Sequence, residues 1–193
     1  TAWPCATLLA CTFNPELVFE VGEAGAKEVK ENNIGVWLTP AVNIHRSPLC
    51  GRNFEYYSED PYLTGVMAAA MVKGIQSQHI AACVKHFACN NKETNRRDSD
   101  SRVSERALRE IYLKAFEIIV KTADPWCIMS SYNIINGHRA SECRALLEDI
   151  LRGEWGYQGM VTTDWWTLGE HCKEVKAGND MKMACGVPEN LLK

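Results

Sequence analysis

Several short apolar runs in this chain hand over directly to residues that can do chemistry. Met160-Val161-Thr162-Thr163 runs into Asp164, and Ala82-Cys83-Val84 runs into Lys85 and His86. Trp126-Cys127-Ile128-Met129 leads to Tyr132. Val36-Trp37-Leu38 leads to a loop carrying His45, Arg46 and Gly51-Arg52-Asn53-Phe54-Glu55. One carboxylate is thereby set among cations and hydrogen-bond donors. Neighbouring cations favour the ionised form of Asp164, and an ionised carboxylate can attack an electrophilic carbon. Lys, Arg and His can hydrogen-bond hydroxyl groups, while Trp165 and Trp166 offer a flat apolar wall. The combination suits sugar or polyol chemistry.

Each element also has a plainer explanation. Asp164 fits a helix N-cap before Trp165. Lys85-His86 fits a strand end emerging into solvent. Arg52 fits a loop ion pair with Glu55, Tyr132 fits packing under a loop, and Arg96-Arg97-Asp98 fits a solvated charge cluster. The balance shifts because such residues recur at the ends of several strands. His79, His138 and His171 have no such placement and read as surface or core histidines.

The elements that must position these residues follow from periodicity. Asn14 caps a helix with Pro15 at its first position and Glu16 at its positive end. Leu17, Val18 and Val21 form its apolar stripe, and Asn32-Asn33 with Gly35 end it. Val36-Trp37-Leu38 reads as a buried strand, and a long polar loop from Thr39 to Glu59 follows, of a length often functional. Asp60-Pro61 opens the next helix, with Leu63, Val66, Met67, Ala70, Met71 and Gly74 on one face. Ala82-Cys83-Val84 is the next strand. After a polar loop from Asn90 to Arg102, Ser104 caps a helix whose buried face is Leu108, Ile111, Tyr112, Ala115 and Ile119. Asp124-Pro125 stops it. Trp126 to Met129 is strand-like. Ser141 is expected to cap a further helix, with Leu146, Leu147, Ile150 and Leu151 inside and Gly156 at its stop. Met160-Val161-Thr162 is a strand, and Met181-Lys182-Met183 is expected as a last short one.

Repeated strand–helix units imply an α/β fold with a parallel sheet and helices outside it. A doubly wound sheet and a (β/α)8 TIM-type barrel both fit. No GxGxxG or GxxxxGK[ST] follows a strand, which argues against nucleotide binding. A barrel takes about 250 residues, and this chain offers about five or six units, so residues 1–193 are expected to be an incomplete barrel. In a parallel barrel the strand C-termini share one mouth. Arg52, Lys85, His86, Tyr132 and Asp164 would meet there.

Composition narrows the partners. The net charge is −3 and no basic run stands out, so nucleic acid is not an expected partner. No apolar stretch is long enough to span a bilayer, so no membrane partner is expected. No His/Cys/Asp/Glu spacing suggests a metal, and no cofactor is expected. The nine cysteines form no CxxC pair. They read as buried free thiols, which favours a reducing, cytoplasmic compartment. Oligomeric state is not encoded in any pattern seen.

The motifs themselves resemble a known family. Lys85-His86-Phe87-Ala88-Cys89-Asn90-Asn91-Lys92-Glu93-Thr94-Asn95-Arg96-Arg97 is similar to the KHF(A)xNxxExNR segment of β-glucosidase-like members of glycoside hydrolase family 3. Asn43-Ile44-His45-Arg46-Ser47-Pro48, Gly51-Arg52-Asn53-Phe54-Glu55 and Ser58-Glu59-Asp60-Pro61 agree as well. So do Val103-Ser104-Glu105-Arg106-Ala107-Leu108-Arg109-Glu110, Met129-Ser130-Ser131-Tyr132-Asn133 and Gly159-Met160-Val161-Thr162-Thr163-Asp164-Trp165, in the family's order. The resemblance covers nearly the whole chain.

That resemblance implies a retaining mechanism with Asp164 as nucleophile. It implies that Arg52, Lys85, His86, Arg96 and Tyr132 bind the non-reducing-end sugar, with Met129 and Trp165 lining the subsite. The expected activity is exo-acting hydrolysis of β-D-glucosides or oligosaccharides. β-Xylosidase or another β-glycosidase activity is the alternative, as is a truncated module that binds sugar without cutting it. Phe87 is followed by Ala88-Cys89-Asn90, unlike the KHFPGHG of the N-acetylglucosaminidase branch. Two of the family's parts are expected outside the chain: an earlier strand with another sugar-binding Asp, and a following α/β sandwich domain with the general acid/base. The isolated chain is therefore expected to be inactive and, with open edges, poorly soluble.

Overall fold

The computed structural model describes residues 1–191. A short helix, α1 (Ala6–Ala10), precedes α2 (Pro15–Glu31). Asn14 Oδ1 accepts the Leu17 N–H at 3.1 Å, as the sequence predicts. The buried residues of α2 are Val18, Gly22, Gly25 and Ala26, while Leu17 is exposed. The expected stripe is thus displaced toward small residues. The reason is close packing on α3 (Pro61–Gln76): a Cβ at Gly74 would lie 2.2 Å from the Phe19 carbonyl oxygen. Asp60 caps α3 through the Leu63 N–H at 2.8 Å.

β1 is only Val36–Trp37, and Val36 is exposed, so it is an edge rather than the expected buried strand. The chain after it still follows its neighbour β2 (Ala81–Phe87), with Lys85 N–H donating to Pro40 O and Val42 N–H to Lys85 O. β2 runs past the predicted Val84 and includes Lys85 and His86.

A small second sheet went unanticipated. β3 (Asp100–Ser101) lies parallel to β5 (Ile134–Ile135), which pairs antiparallel with β6 (His138–Arg139). Its turn is Asn136-Gly137, both at positive φ, the pair that a tight hairpin favours.

Ser104 caps α4 (Glu105–Ala107) through the Ala107 N–H. A π-wound stretch, Leu108–Tyr112, then leads into α5 (Lys114–Ala123). The wider winding rotates the face, so Ile111 is exposed where burial was expected, while Leu108, Ala115 and Ile119 are buried. β4 is Cys127–Ser130, with Trp126 outside it and exposed.

Ser141 is no helix cap. It lies in a 3-10 turn, and its hydroxyl donates to Glu174 at 2.8 Å. The helix that follows, Ala145–Glu154, is π-wound and begins without a side-chain cap, yet it buries Leu146, Leu147, Ile150 and Leu151 as predicted. Gly156 stops it at φ +74°. β7 (Met160–Thr163) precedes α6 (His171–Ala177). The expected last strand reduces to a single bridge between Thr162 and Met181.

The main sheet has the order β1-β2-β4-β7, all parallel. Each strand joins the next in chain order, with helices between. The sheet is open: its four strands form no closed barrel among the described residues, where an incomplete barrel was expected. Ala82, Val84, Ile128 and Val161 face the helices in the main core, whereas Cys83, Cys127 and Met129 form a separate cluster. All nine cysteines are free. Cys50, Cys83, Cys89 and Cys127 are buried as expected, but Cys5 and Cys11 are exposed. No described helix is long and apolar enough to cross a membrane.

Candidate active site

Asp164 follows the last residue of β7 and is 8% exposed. Its N–H donates to Ser130 O at 3.2 Å, tying it to the end of β4. Its Oδ1 accepts the Trp165 N–H at 2.7 Å. Oδ2 faces His86 Nε2 at 3.9 Å.

Lys85 and His86 are adjacent on β2, so a regular pleat would send them to opposite faces. The pairing with β4 breaks there: Lys85 opposes Met129, and Phe87 opposes the very next residue, Ser130. Such a bulge re-aims side chains. Both can therefore serve one site, Lys85 reaching Glu55 at 3.4 Å and His86 facing Asp164. Asn43 fixes His86 twice through the backbone, accepting its N–H and donating to its carbonyl, each at 2.9 Å. Tyr56 and Asn90 close around its Nδ1.

The cations are joined through carboxylates. Arg52 pairs with Glu55 and approaches Glu93 at 3.9 Å. Glu93 also holds Arg96 at 3.1 Å. The Arg96 guanidinium stacks 4.6 Å from the centre of the Tyr132 ring, with Arg97 at 5.5 Å. The Tyr132 hydroxyl donates to Trp165 O at 2.5 Å. Trp165 and Met129 pack together beside Cys83 and Cys127.

Thus all of the expected site residues, Arg52, Lys85, His86, Arg96, Met129, Tyr132, Asp164 and Trp165, lie in one linked group. His45 and Arg46 do not join it. His45 binds the carbonyls of Asn53 and Tyr56, and Arg46 donates to Tyr112. Trp166 is 55% exposed. Sequence reasoning missed Glu93, Asn43, Asn90 and Tyr56. Asn90 and Glu93 stand at named positions of the Lys85–Arg97 segment and Asn43 opens another quoted motif, whereas Tyr56 left no signal. Among the described residues, no three His, Cys, Asp or Glu side chains gather as metal ligands.

Burial decides the electrostatics. It raises the Asp164 carboxyl above its ordinary value, against the lowering effects of the Trp165 N–H, the Tyr132 hydroxyl, Arg52 and Arg96. The cations favour the ionised form as expected, but desolvation outweighs them. Burial, then the charges of Arg52, Lys85 and Arg96, holds His86 well below its usual range, so the imidazole is neutral. Burial and the Asp164 charge push Tyr132 up to about 12, which keeps it a donor.

Known proteins share this chain's sequence and fold. Residues 1–188 match the glycosyl hydrolase family 3 N terminal domain. The chain is 67% identical to beta-glucosidase A of Butyrivibrio fibrisolvens over 192 residues, 100% of this chain and 23% of that protein. It is 50% identical to an exo-alpha-(1->6)-L-arabinopyranosidase of Bifidobacterium longum, over 95% of this chain and 24% of that protein. The structure of beta-glucosidase 3B from Thermotoga neapolitana in complex with glucose aligns with a TM-score of 0.94 at 56% identity, covering 95% of this chain and 26% of that one. A Bifidobacterium adolescentis GH3 beta-glucosidase aligns at 0.97 and 48% identity, over 100% and 28%. The chain spans about a quarter of the length of these relatives. With a family match across nearly all of its length, the chain belongs to glycosyl hydrolase family 3, within the N-terminal domain.

Proposed function

We propose that this chain forms the nucleophile-bearing part of a retaining, exo-acting β-glucosidase. The observation that carries the reading is Asp164: a buried carboxylate at a strand end, ringed by Arg52, Arg96, His86 and Tyr132. Its Oδ1 is occupied by a backbone N–H, which leaves Oδ2 to attack the anomeric carbon. The bond to the leaving-group oxygen breaks as the bond to Oδ2 forms, giving a covalent glycosyl-enzyme. Water then releases the sugar with its configuration retained.

Arg52, Lys85, His86, Arg96 and Tyr132 serve as hydroxyl partners, and Met129 with Trp165 forms the apolar wall. Glu55 and Glu93 are committed to cations on this face. We therefore assign the acid/base to a residue outside Thr1–Lys193, and expect the isolated chain not to hydrolyse glucosides. The consecutive parallel strand order supports reading the sheet as part of a (β/α)8 barrel, since a doubly wound sheet reverses its order.

Reaction of the full-length protein with a 2-fluoro glucoside tests the assignment. The label is expected on Asp164, with Asp164→Ala abolishing turnover; a label elsewhere overturns it. Hydrolysis by the isolated chain would overturn the placement of the acid/base, and glucose binding without hydrolysis by the full-length protein would favour a sugar-binding module. A second specificity is raised by the 50% identity to an exo-arabinopyranosidase. Rates on aryl β-glucoside, β-xyloside and α-L-arabinopyranoside decide among them, since a pocket that hydrogen-bonds the substrate's extra hydroxyl rejects sugars lacking it.

A further inference from the structure

We propose that the buried Glu174–Lys182 ion pair is a positioning latch for the loop that bears Asp164 and Trp165; this rests on the nucleophile role proposed for Asp164. The side chains are 0% and 5% exposed. Lys182 Nζ donates to Glu174 Oε2 at 2.5 Å and to Gly169 O at 2.7 Å. Ser141 Oγ donates to the other oxygen of Glu174 at 2.8 Å. The loop is drawn tightly onto this pair, for a Cβ at Gly169 would lie 2.3 Å from Glu174 Oε1.

The neighbours of Lys182 grip the nucleophile's strand end from both sides. Thr163 N–H donates to Met181 O at 2.9 Å, and Met183 N–H to Thr163 Oγ1 at 3.0 Å. Trp166 N–H donates to Met183 O at 3.4 Å. Asn179 adds a second tie. Its Nδ2 donates to Ser141 O at 2.7 Å, and its Oδ1 accepts from Ser130 Oγ at 2.8 Å. Ser130 O in turn accepts the Asp164 N–H. A buried ion pair is weak evidence of stability, because apolar side chains of similar volume pack as well. What a directional pair adds is one fixed geometry. Here the fixed quantities are the Trp165 N–H bond to Oδ1 and hence the aim of Oδ2.

Lys182→Met and the double variant Lys182→Met/Glu174→Gln in the full-length enzyme test the latch. The single variant strands a buried carboxylate, so loss of folding there is uninformative about aim. The double variant removes both charges, and its thermal midpoint is expected to recover. Its kcat is nevertheless expected to stay roughly 10- to 100-fold down, the usual cost of misplaced reacting atoms, with KM changed far less. The acid limb of kcat/KM is expected to move to higher pH as the Trp165 N–H bond to Asp164 loosens. The other groups facing Asp164, namely His86 from β2, Tyr132 beyond β4, and Arg52 and Arg96 from two loops, are untouched by these changes. If the double variant recovers kcat and the acid limb along with folding, the pair is structural only and the proposal falls. A 2-fluoro glucoside label on the wild type separates the two readings: a label away from Asp164 removes the nucleophile, whereas a label on Asp164 with unchanged kinetics in the double variant removes the latch alone.

Discussion

His86 Nε2 stands 3.9 Å from Asp164 Oδ2, with both side chains buried. Burial and the surrounding cations together leave the imidazole neutral, whereas burial raises the carboxyl against those same cations. The contact is thus a neutral imidazole beside a carboxylate, not an ion pair, and the pH behaviour of both groups follows chiefly from their burial.

The raised Asp164 carboxyl means that the folded chain carries an unfavourable charge above that group's titration, and sheds the cost as pH falls through it. Asp164→Asn is expected to stabilise the fold at pH 7 by roughly 1 kcal/mol, a common gain when a functional site is relaxed. The gain should shrink toward pH 4. Thermal melts at the two pH values check this. In the wild type, the acid limb of kcat/KM should lie above the ordinary Asp value of about 4.

His86 gives the opposite dependence. Below about pH 6.5 the unfolded chain takes a proton that the folded chain refuses. Stability is therefore lost as pH drops through that value, at up to about 1.4 kcal/mol per pH unit. His86→Gln should flatten this slope between pH 6.5 and pH 5.5, measured by denaturant titration.

Arg96 bonds Glu93 and stacks on Tyr132 at once. Lysine keeps the charge but loses the planar fork. Arg96→Lys in the full-length protein should weaken glucose binding on the order of 10-fold, with stacking on an aromatic face worth about 0.5–2 kcal/mol. Calorimetric titration with glucose reads the change, and an unaltered affinity would take Arg96 out of the proposed sugar site.

At Gly74 the limit is steric. A methyl there would press on the Phe19 carbonyl and on Glu23 N at 3.0 Å, both backbone atoms that cannot rotate away. Gly74→Ala should destabilise the chain by roughly 1–3 kcal/mol despite the better helix propensity of alanine. An unchanged urea midpoint would mean that α2 and α3 slide apart without cost.

Much of the site could be read before any fold was known. Asn14, Asp60 and Ser104 each announce a helix by a cap three residues ahead of the N–H it accepts, a contact local enough for sequence to carry. Ser141 presents the same type of residue but finds a buried carboxylate thirty-three positions away instead. Ile111 and Leu17 follow helical spacing and still face outward, because a π-wound turn and a glycine-lined helix contact rotate the buried faces. Asn136-Gly137 was a legible hairpin signal, but its flanking strands are two residues each, too short to show an alternating pattern.

The sequence alone determined that Asp164, Lys85, His86 and Tyr132 end or follow apolar strands, and that those strands alternate with helices. These are consequences of short-range pattern, since a strand's period and a helix's cap involve only neighbours in the chain. Tertiary structure decided the rest: the bulge that lets Lys85 and His86 serve one site, the Glu93 carboxylate that joins Arg52 to Arg96, the Glu174–Lys182 pair behind the loop, and the sign of the Asp164 shift. Desolvation and partner choice depend on which distant segments pack around a group, and linear spacing does not contain that information.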